Sequence, residues 1–362
     1  MMTKKDIVQQ DIKKTIIANN FKGIVLASMR VGKCRVILES IKKLDIENPK
    51  VLILYPFVDI KISWEDECKI LNYYPNITYS TFISIEKVKD LDFDIIIADE
   101  AHNLVVETQL PIVNQLVNKT KHILLISGTY NTETLNTLKF NTGLDLIVNY
   151  STEQAIKDEL IIDYQIFIHQ YDLDATTIKE FGKSKKWKST DYRELKRLTN
   201  KIATSQFEKE KFFHTLNRMR FINSCDSLVN CVNNWIKNNQ DKRFLLFTGD
   251  ENVGKRYNLP MFNSKSKDNS VLEDFQNETI NQLCLIRKGS IGKTYRNLRI
   301  ILLTAINSNG ENLQQQIGRS LLDDTEDAEI HIFVSSEPFQ QKWLMSSLQN
   351  IPKNKIKYIN EQ

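Results

Sequence analysis

GIVLASMRVGKCRVILESI, residues 23–41, runs from a short apolar stretch through a Gly-Lys turn into residues whose apolar positions recur at helical spacing. A strand that enters a helix through such a turn forms a cradle for phosphate. Backbone N–H groups at the helix N-terminus face the anion, and a lysine there reaches the terminal phosphates. Gly32 permits the close backbone approach and Lys33 supplies the ammonium. Taken alone the turn is a modest signal, so the rest of the chain has to support it.

Working outward, VLILYP (51–56), DIIIAD (94–99) and HILLISG (122–128) are apolar throughout rather than alternating, as strands covered on both faces are. Helical stretches between them predict a parallel α/β sheet over residues 1–150. The pattern returns in RFLLFTG (243–249), QLCLIRKG (282–289), RIILLTA (299–305) and EIHIFVS (329–335), which predicts a second α/β layer over 226–362. Residues 151–225 differ: a helix, a strand (YQIFIHQYDLD, 164–174), then a basic segment read as helical. Between 179 and 201 stand nine Lys/Arg and three Asp/Glu, a net of +6 against +4 for all 362 residues. The remainder is therefore slightly acidic. A solvated helical face accounts for the basic segment as readily as a binding surface does.

A chain with 41% hydrophobic and 26% charged residues is not wholesale disordered. Its five cysteines include no C-x-x-C pair, which argues against a disulfide framework or zinc site and for a reducing interior. No apolar run approaches the roughly 18 residues a membrane span needs. The start MMTKKDIVQQ lacks the apolar core of a signal peptide. The expectation is a soluble, cytoplasmic protein without a membrane partner.

A second chemical element lies at 92–104, DFDIIIADEAHNL, where an apolar run ends in Asp99 and Glu100. Adjacent carboxylates at the C-terminal end of a buried strand are costly unless they meet something cationic or polar. They also stand where α/β sheets place ligands. Beside a phosphate cradle, Asp99 would hold Mg²⁺ on a nucleotide and Glu100 would orient the attacking water.

In this order the motifs resemble those of superfamily 2 helicases and translocases, over nearly the whole chain. ASMRVGKC (27–34) resembles motif I, LYPFVDIKISWEDE (54–67) the motif Ia region, YSTF (79–82) motif Ib, DEAH (99–102) motif II and ISGTY (126–130) motif III. RFLLFT (243–248) resembles motif IV, KGSIGKTYRNLRIILLT (288–304) motif V and NSNGENLQQQIGRSL (307–321) motif VI. The wording is similar to that of small helicases from bacteriophages and other large DNA viruses.

The resemblance implies two RecA-like domains with ATP in their cleft, joined by a basic helical segment. It implies that Ala27, Ser28, Met29, Arg30, Val31, Gly32, Lys33, Cys34 and Gly292 bind ATP, with Gln9 or Gln10 reading the adenine edge. Asp99 and Glu100 would hold magnesium, through water, and the nucleophile. His102, Gln315 and the Ser127/Thr129 pair would link nucleotide state to the second domain, and Arg319 would reach the γ-phosphate. Pro56, Thr81, Thr129, Thr248 and Thr294 would contact nucleic-acid phosphates. Trp187 inside KSKKWKS (183–189), with Lys185, Lys186 and Lys188, suits backbone contact plus stacking on a single strand.

Three positions depart from the family pattern. Cys34 stands where Thr or Ser would touch the metal, and a thiol is a soft ligand for a hard ion. Arg30 replaces a cradle glycine, and Leu322 replaces the second arginine of motif VI, a cation that Arg296 or Arg299 would have to supply. Trp64, Trp235 and Trp343 read as core, and His122, His169, His214 and His331 form no spacing pattern.

The function expected is an ATP- and Mg²⁺-dependent nucleic-acid motor, on DNA in preference to RNA. Two other readings stand beside it: a weakly or non-hydrolysing ATP-switched clamp, and the motor subunit of a larger replication, recombination, restriction or transcription assembly.

Overall fold

The computed structural model describes residues 2–28, 31–56, 59–104, 107–128, 132–160, 163–182, 186–263, 268, 270–286, 295, 297–305, 327–348 and 351–360. They divide into two units, residues 1–162 and 163–362. In the first, β1 (Lys22–Ala27), β2 (Lys50–Tyr55), β3 (Asn76–Thr81), β4 (Ile95–Asp99), β5 (His122–Ser127) and β6 (Leu146–Tyr150) form one parallel sheet in the order β3-β2-β4-β5-β1-β6. Helices α1 (Lys4–Ala18), α2 (Lys33–Ile41), α3 (Asp59–Ile70), α4 (Leu110–Lys119), α5 (Thr132–Thr142) and α6 (Thr152–Lys157) belong to the same unit.

The apolar runs are continuous because alternate residues serve two cores. Val25, Ile53, Ile95, Ile97, Leu124 and Ile126 join Ile12 and Ile16 of α1 and Ile37 and Ile41 of α2 on one face. Ile24, Leu52, Leu54, Ile96, Ile123 and Leu125 join Leu110, Val113 and Leu116 of α4 on the other. Each fully buried Ile or Leu is worth about 1.5–3 kcal/mol of transfer free energy, so neither face tolerates a polar substitution.

The second unit holds a seven-stranded parallel sheet: β7 (Tyr164–Tyr171), β10 (Phe244–Thr248), β11 (Met261–Asn263), β12 (Gln282–Ile286), β13 (Ile300–Leu303), β14 (Ala328–Ser335) and β15 (Ile356–Asn360), in the order β11-β12-β10-β13-β14-β7-β15. Residues read from sequence as a connecting segment, 151–225, divide between the units. Helix α6 stays with the first, whereas β7 lies inside the second sheet between β14 and β15. The basic segment is helical only in part. β8 (Lys179–Phe181) and β9 (Trp187–Ser189) pair as an antiparallel hairpin before α7 (Asp191–Thr204), α8 (Glu208–Ile222) and α9 (Asp226–Asn238). Among the described residues no helix is long and apolar enough to cross a membrane.

Pairing of β7 with β14 buries two histidines that had no sequence pattern. His169 stands opposite Phe333 and His331 opposite Phe167, all four on one face. His169 Nε2 and His331 Nδ1 are 2.8 Å apart, and His331 Nε2 lies 3.2 Å from Glu329, which Lys242 approaches from across the surface. Burial holds the His331 pKa below its usual value, against the pull of Glu329. Protonation is then easier in the unfolded chain. The stabilisation is present above the ordinary histidine pKa near 6.5 and is lost as pH falls through it toward the depressed folded value. The unfolding midpoint of this unit should drop between about pH 7.5 and about pH 5.5, and His331→Gln should flatten that dependence. Equal slopes in wild type and variant would contradict it.

Candidate functional site

Because the first sheet is parallel, the C-terminal ends of β1, β4 and β5 lie along one edge. Register aligns them: Leu26 stands beside Ser127, and Asp99 beside Ile126. Residues 33, 99, 100, 102 and 127, scattered along the chain, therefore meet at that edge.

The cradle is built by the turn between β1 and α2. Ser28 is buried, its N–H donating to the Tyr150 carbonyl at 2.8 Å. Gly32 adopts φ +84, ψ +47, and a Cβ there would come 2.6 Å from Gln9 Nε2. That Gln9 amide donates to the Val31 carbonyl at 2.7 Å, so α1 clamps the turn. Lys33 opens α2, whose first turn carries no acidic residue, leaving its N-terminal amides to an external anion. The Lys33 ammonium makes a long contact, 3.4 Å, to the Ala27 carbonyl at the end of β1. Gln10, the other adenine candidate, is exposed, with its amide 3.9 Å from the Met2 sulfur.

A left-handed φ costs an L-residue about 1–2 kcal/mol, and the added methyl at position 32 must also push the Gln9 amide off Val31. Gly32→Ala should lower unfolding free energy by about that amount in urea titration. No measurable change would mean the turn relaxes freely.

Asp99, 4% exposed, is held at both oxygens. Trp64 Nε1 donates to Oδ2 at 2.9 Å, and the Glu100 N–H donates to Oδ1 at 2.9 Å. Burial and the adjoining Glu100 carboxylate push its pKa up to about 6, against the pull of Lys33. A carboxylate kept this uncomfortable gains from an approaching cation. Glu100 has φ +51, which swings its side chain out of the strand path.

Glu100 is then reached by a relay. The Asn103 amide lies 2.7 Å from His102 Nε2, His102 Nδ1 lies 2.7 Å from Ser127 Oγ, and Ser127 Oγ donates to Glu100 Oε2 at 3.3 Å. Burial lowers the His102 pKa, so the ring is neutral at pH 7; with Nε2 accepting from Asn103, Nδ1 carries the proton and donates to Ser127. Cys34 is the odd member: burial and the Asp99 charge raise its pKa far above normal, so it stays a thiol. A thiol is a poor donor to a hard cation.

Of the nucleic-acid candidates, Pro56 and Thr81 are half-buried at the C-terminal ends of β2 and β3. Thr248 closes β10 with a buried Oγ1 that has no hydrogen-bond partner among the described residues. Lys186 pairs with Glu180 at 2.6 Å and Lys188 is exposed. The Trp187 indole is engaged inside the unit, donating to Glu194 at 2.9 Å beneath the Arg197 guanidinium, 4.5 Å from the ring centre. Met29, Arg30, Thr129, Lys185, Gly292, Thr294, Arg296, Gln315, Arg319 and Leu322 lie outside the described residues. Arg299 stands at the N-terminal start of β13, the opposite edge from the strand C-termini.

Sequence reading assigned Trp64 to the core. It is fully buried, yet its N–H also orients Asp99. Asn103 was likewise unmarked. Neither has a spacing signal, because both act across the tertiary fold or one residue beyond a motif.

No protein-family model and no curated protein matches this chain in sequence. Solved structures do match in fold. The helicase domain of Hef from Pyrococcus furiosus superposes with a TM-score of 0.54 at 12% identity, over 96% of this chain and all of that one. S. cerevisiae Dbp5 bound to RNA and ADP BeF3 gives 0.57 at 10% identity, over 97% of this chain and 89% of that one. The ATP-dependent type ISP restriction-modification enzyme LlaBIII bound to DNA gives 0.61 at 14%, over 98% of this chain and 31% of that one. The two α/β units thus share their RecA-like fold with these solved structures.

Proposed function

We propose that this chain is an ATP-driven nucleic-acid motor, a helicase or translocase, acting on DNA in preference to RNA. One observation carries the proposal: Gly32–Lys33, Asp99, Glu100 and the Ser127–His102 pair meet at the C-terminal edge of one parallel sheet. Only the first two need each other for phosphate and cation; the relay to Glu100 has no purpose in a passive anion site.

The residues fit MgATP. The Gly32 turn is open where a Cβ would collide, α2 offers unopposed N-terminal amides, and the buried Asp99 gains from a cation. Lys33 and the backbone of 28–34 would hold the phosphates, and Asp99 would hold the ion through water. Bound MgATP supplies the transferable γ-phosphoryl group and neutralises the charge that develops on it. Glu100 would orient the attacking water and accept its proton, while Ser127 and His102 keep the carboxylate aimed. Gln9 stiffens the cradle through its bond to the Val31 carbonyl, and Gln9 or Gln10 is proposed to read the adenine edge. Arg319 and Gln315 are proposed to complete the chemistry, and Thr81, Thr129, Thr248, Thr294 and Pro56 to meet strand phosphates. The preference for DNA and a place in a larger assembly are part of the proposal; among the structures of similar fold, LlaBIII is bound to DNA and Dbp5 to RNA.

The protonated Cys34 thiol favours a second reading, an ATP-switched clamp with weak hydrolysis, since one metal donor is lost. Steady-state ATPase with single-stranded DNA, duplex DNA and RNA separates the two. A motor shows turnover stimulated by a strand. No turnover on any of them, with ATP changing strand affinity, selects the clamp.

A further inference from the structure

Between β7 and α9 the second unit carries an insertion, the β8–β9 hairpin followed by α7 and α8, two helices packed together and joined through residues 205–207. At its base the seam is closed: Leu195 and Leu198 of α7 and Ile222 of α8 are buried. Ile202, Leu216 and Met219 are half-buried further along. Toward the connection the seam opens. The α8 stripe 222, 219, 216, 212 continues at helical spacing, but residues 207–213 are all exposed. Phe207, Phe212 and Phe213 show 66%, 65% and 56% of their surface to solvent.

Phe212 continues that stripe, Phe213 stands beside it and Phe207 precedes the helix; three phenyls within seven residues, left exposed by the described residues, mark a contact surface. Charge identifies what it suits. The tip, residues 201–213, holds Lys201, Lys209 and Lys211 against Glu208 and Glu210, with Lys211 3.6 Å from Glu208; further down α8 stand Arg220 and Arg218, the latter stacked over the Phe339 ring. Lys201, Lys209, Lys211 and Arg220 are exposed. Flat rings set among cations match a strand with unstacked bases and flanking phosphates. Trp187, by contrast, has its N–H and one ring face taken by Glu194 and Arg197.

We propose that the α7–α8 tip is a contact for single-stranded nucleic acid, with unpaired bases stacking on Phe212 and Phe213 and with Lys201, Lys209 and Lys211 meeting the adjoining phosphates. The inference rests on the nucleic-acid reading above and adds to it a subsite outside the α/β sheets.

Binding of labelled oligothymidylate and oligouridylate by the full chain tests it. Phe212→Ala and Phe213→Ala should each weaken binding about tenfold, the loss that removal of a stacking platform brings, with an unchanged salt slope. An abasic strand should bind wild type and variants alike. Lys209→Gln with Lys211→Gln should instead flatten the salt slope by about 1.4. Both phenyls are exposed, so the melting temperature and the ATPase without nucleic acid should stay at wild-type values. Tight wild-type binding with unaltered affinity in both phenyl variants overturns this inference and leaves the motor proposal standing. Failure of the wild type to bind any strand overturns both. A wild-type dimer that the phenyl variants dissolve at unchanged strand affinity assigns the seam to a second copy, and the inference is wrong.

Discussion

Lys33→Ala should reduce ATP turnover by at least about a hundredfold while leaving the unfolding midpoint nearly unchanged. In the proposed function the ammonium is the cation that reaches the terminal phosphates, and no acidic residue in the first turn of α2 competes for it. Within the protein its contact with the Ala27 carbonyl is long, 3.4 Å, so the fold loses little when it goes. Removing one fixed charge aimed at the transferred group costs a phosphoryl-transfer site orders of magnitude in rate. Steady-state phosphate release, with circular dichroism on the same sample, reads both parts. Undiminished turnover would place the nucleotide elsewhere.

Glu100→Gln should abolish turnover by about two to four orders of magnitude and yet keep nucleotide binding. The amide is nearly isosteric and its oxygen still accepts from Ser127, so the relay through His102 and Asn103 survives. The left-handed backbone at Glu100, φ +51, is as open to Gln as to Glu. What disappears is the carboxylate proposed to receive the water's proton. The change also lifts a like charge from Asp99, whose pKa Glu100 helps to hold near 6. Asp99 becomes more fully ionised at neutral pH, and magnesium–nucleotide affinity should match or exceed wild type. Displacement of a fluorescent nucleotide, measured beside phosphate release, separates binding from chemistry. Parallel loss of both would mean that Glu100 builds the pocket rather than acting on the water.

Much of this was legible in order along the chain. The runs at 51–56, 94–99, 122–128, 243–249 and 329–335 became β2, β4, β5, β10 and β14 within a residue or so at most ends. A strand buried on both faces cannot hide polar residues, so its composition announces it. Short or half-exposed strands did not announce themselves: β3, β6, β11 and β15 carry mixed patterns. β7 was seen as a strand, but its place between β14 and β15 was not, because strand order is set by crossovers and not by local pattern.

The same division runs through the site. A Gly-Lys turn before a helix and two carboxylates after an apolar run have their chemistry in adjacent residues, so position along the chain is enough to find them. Gln9 on Val31, Trp64 on Asp99 and His169 on His331 are separated by 22, 35 and 162 positions. Each is a single hydrogen bond between side chains or backbone brought together by packing, and leaves no periodicity to read. Phe212 sits at ordinary core spacing with Leu216 and Met219 in the sequence; that Phe212 and Phe213 stand exposed among the described residues depends on where the seam with α7 ends. Burial and pairing at a distance are properties of the packed chain, since apolar spacing states which face wants cover and only neighbouring elements supply or withhold it.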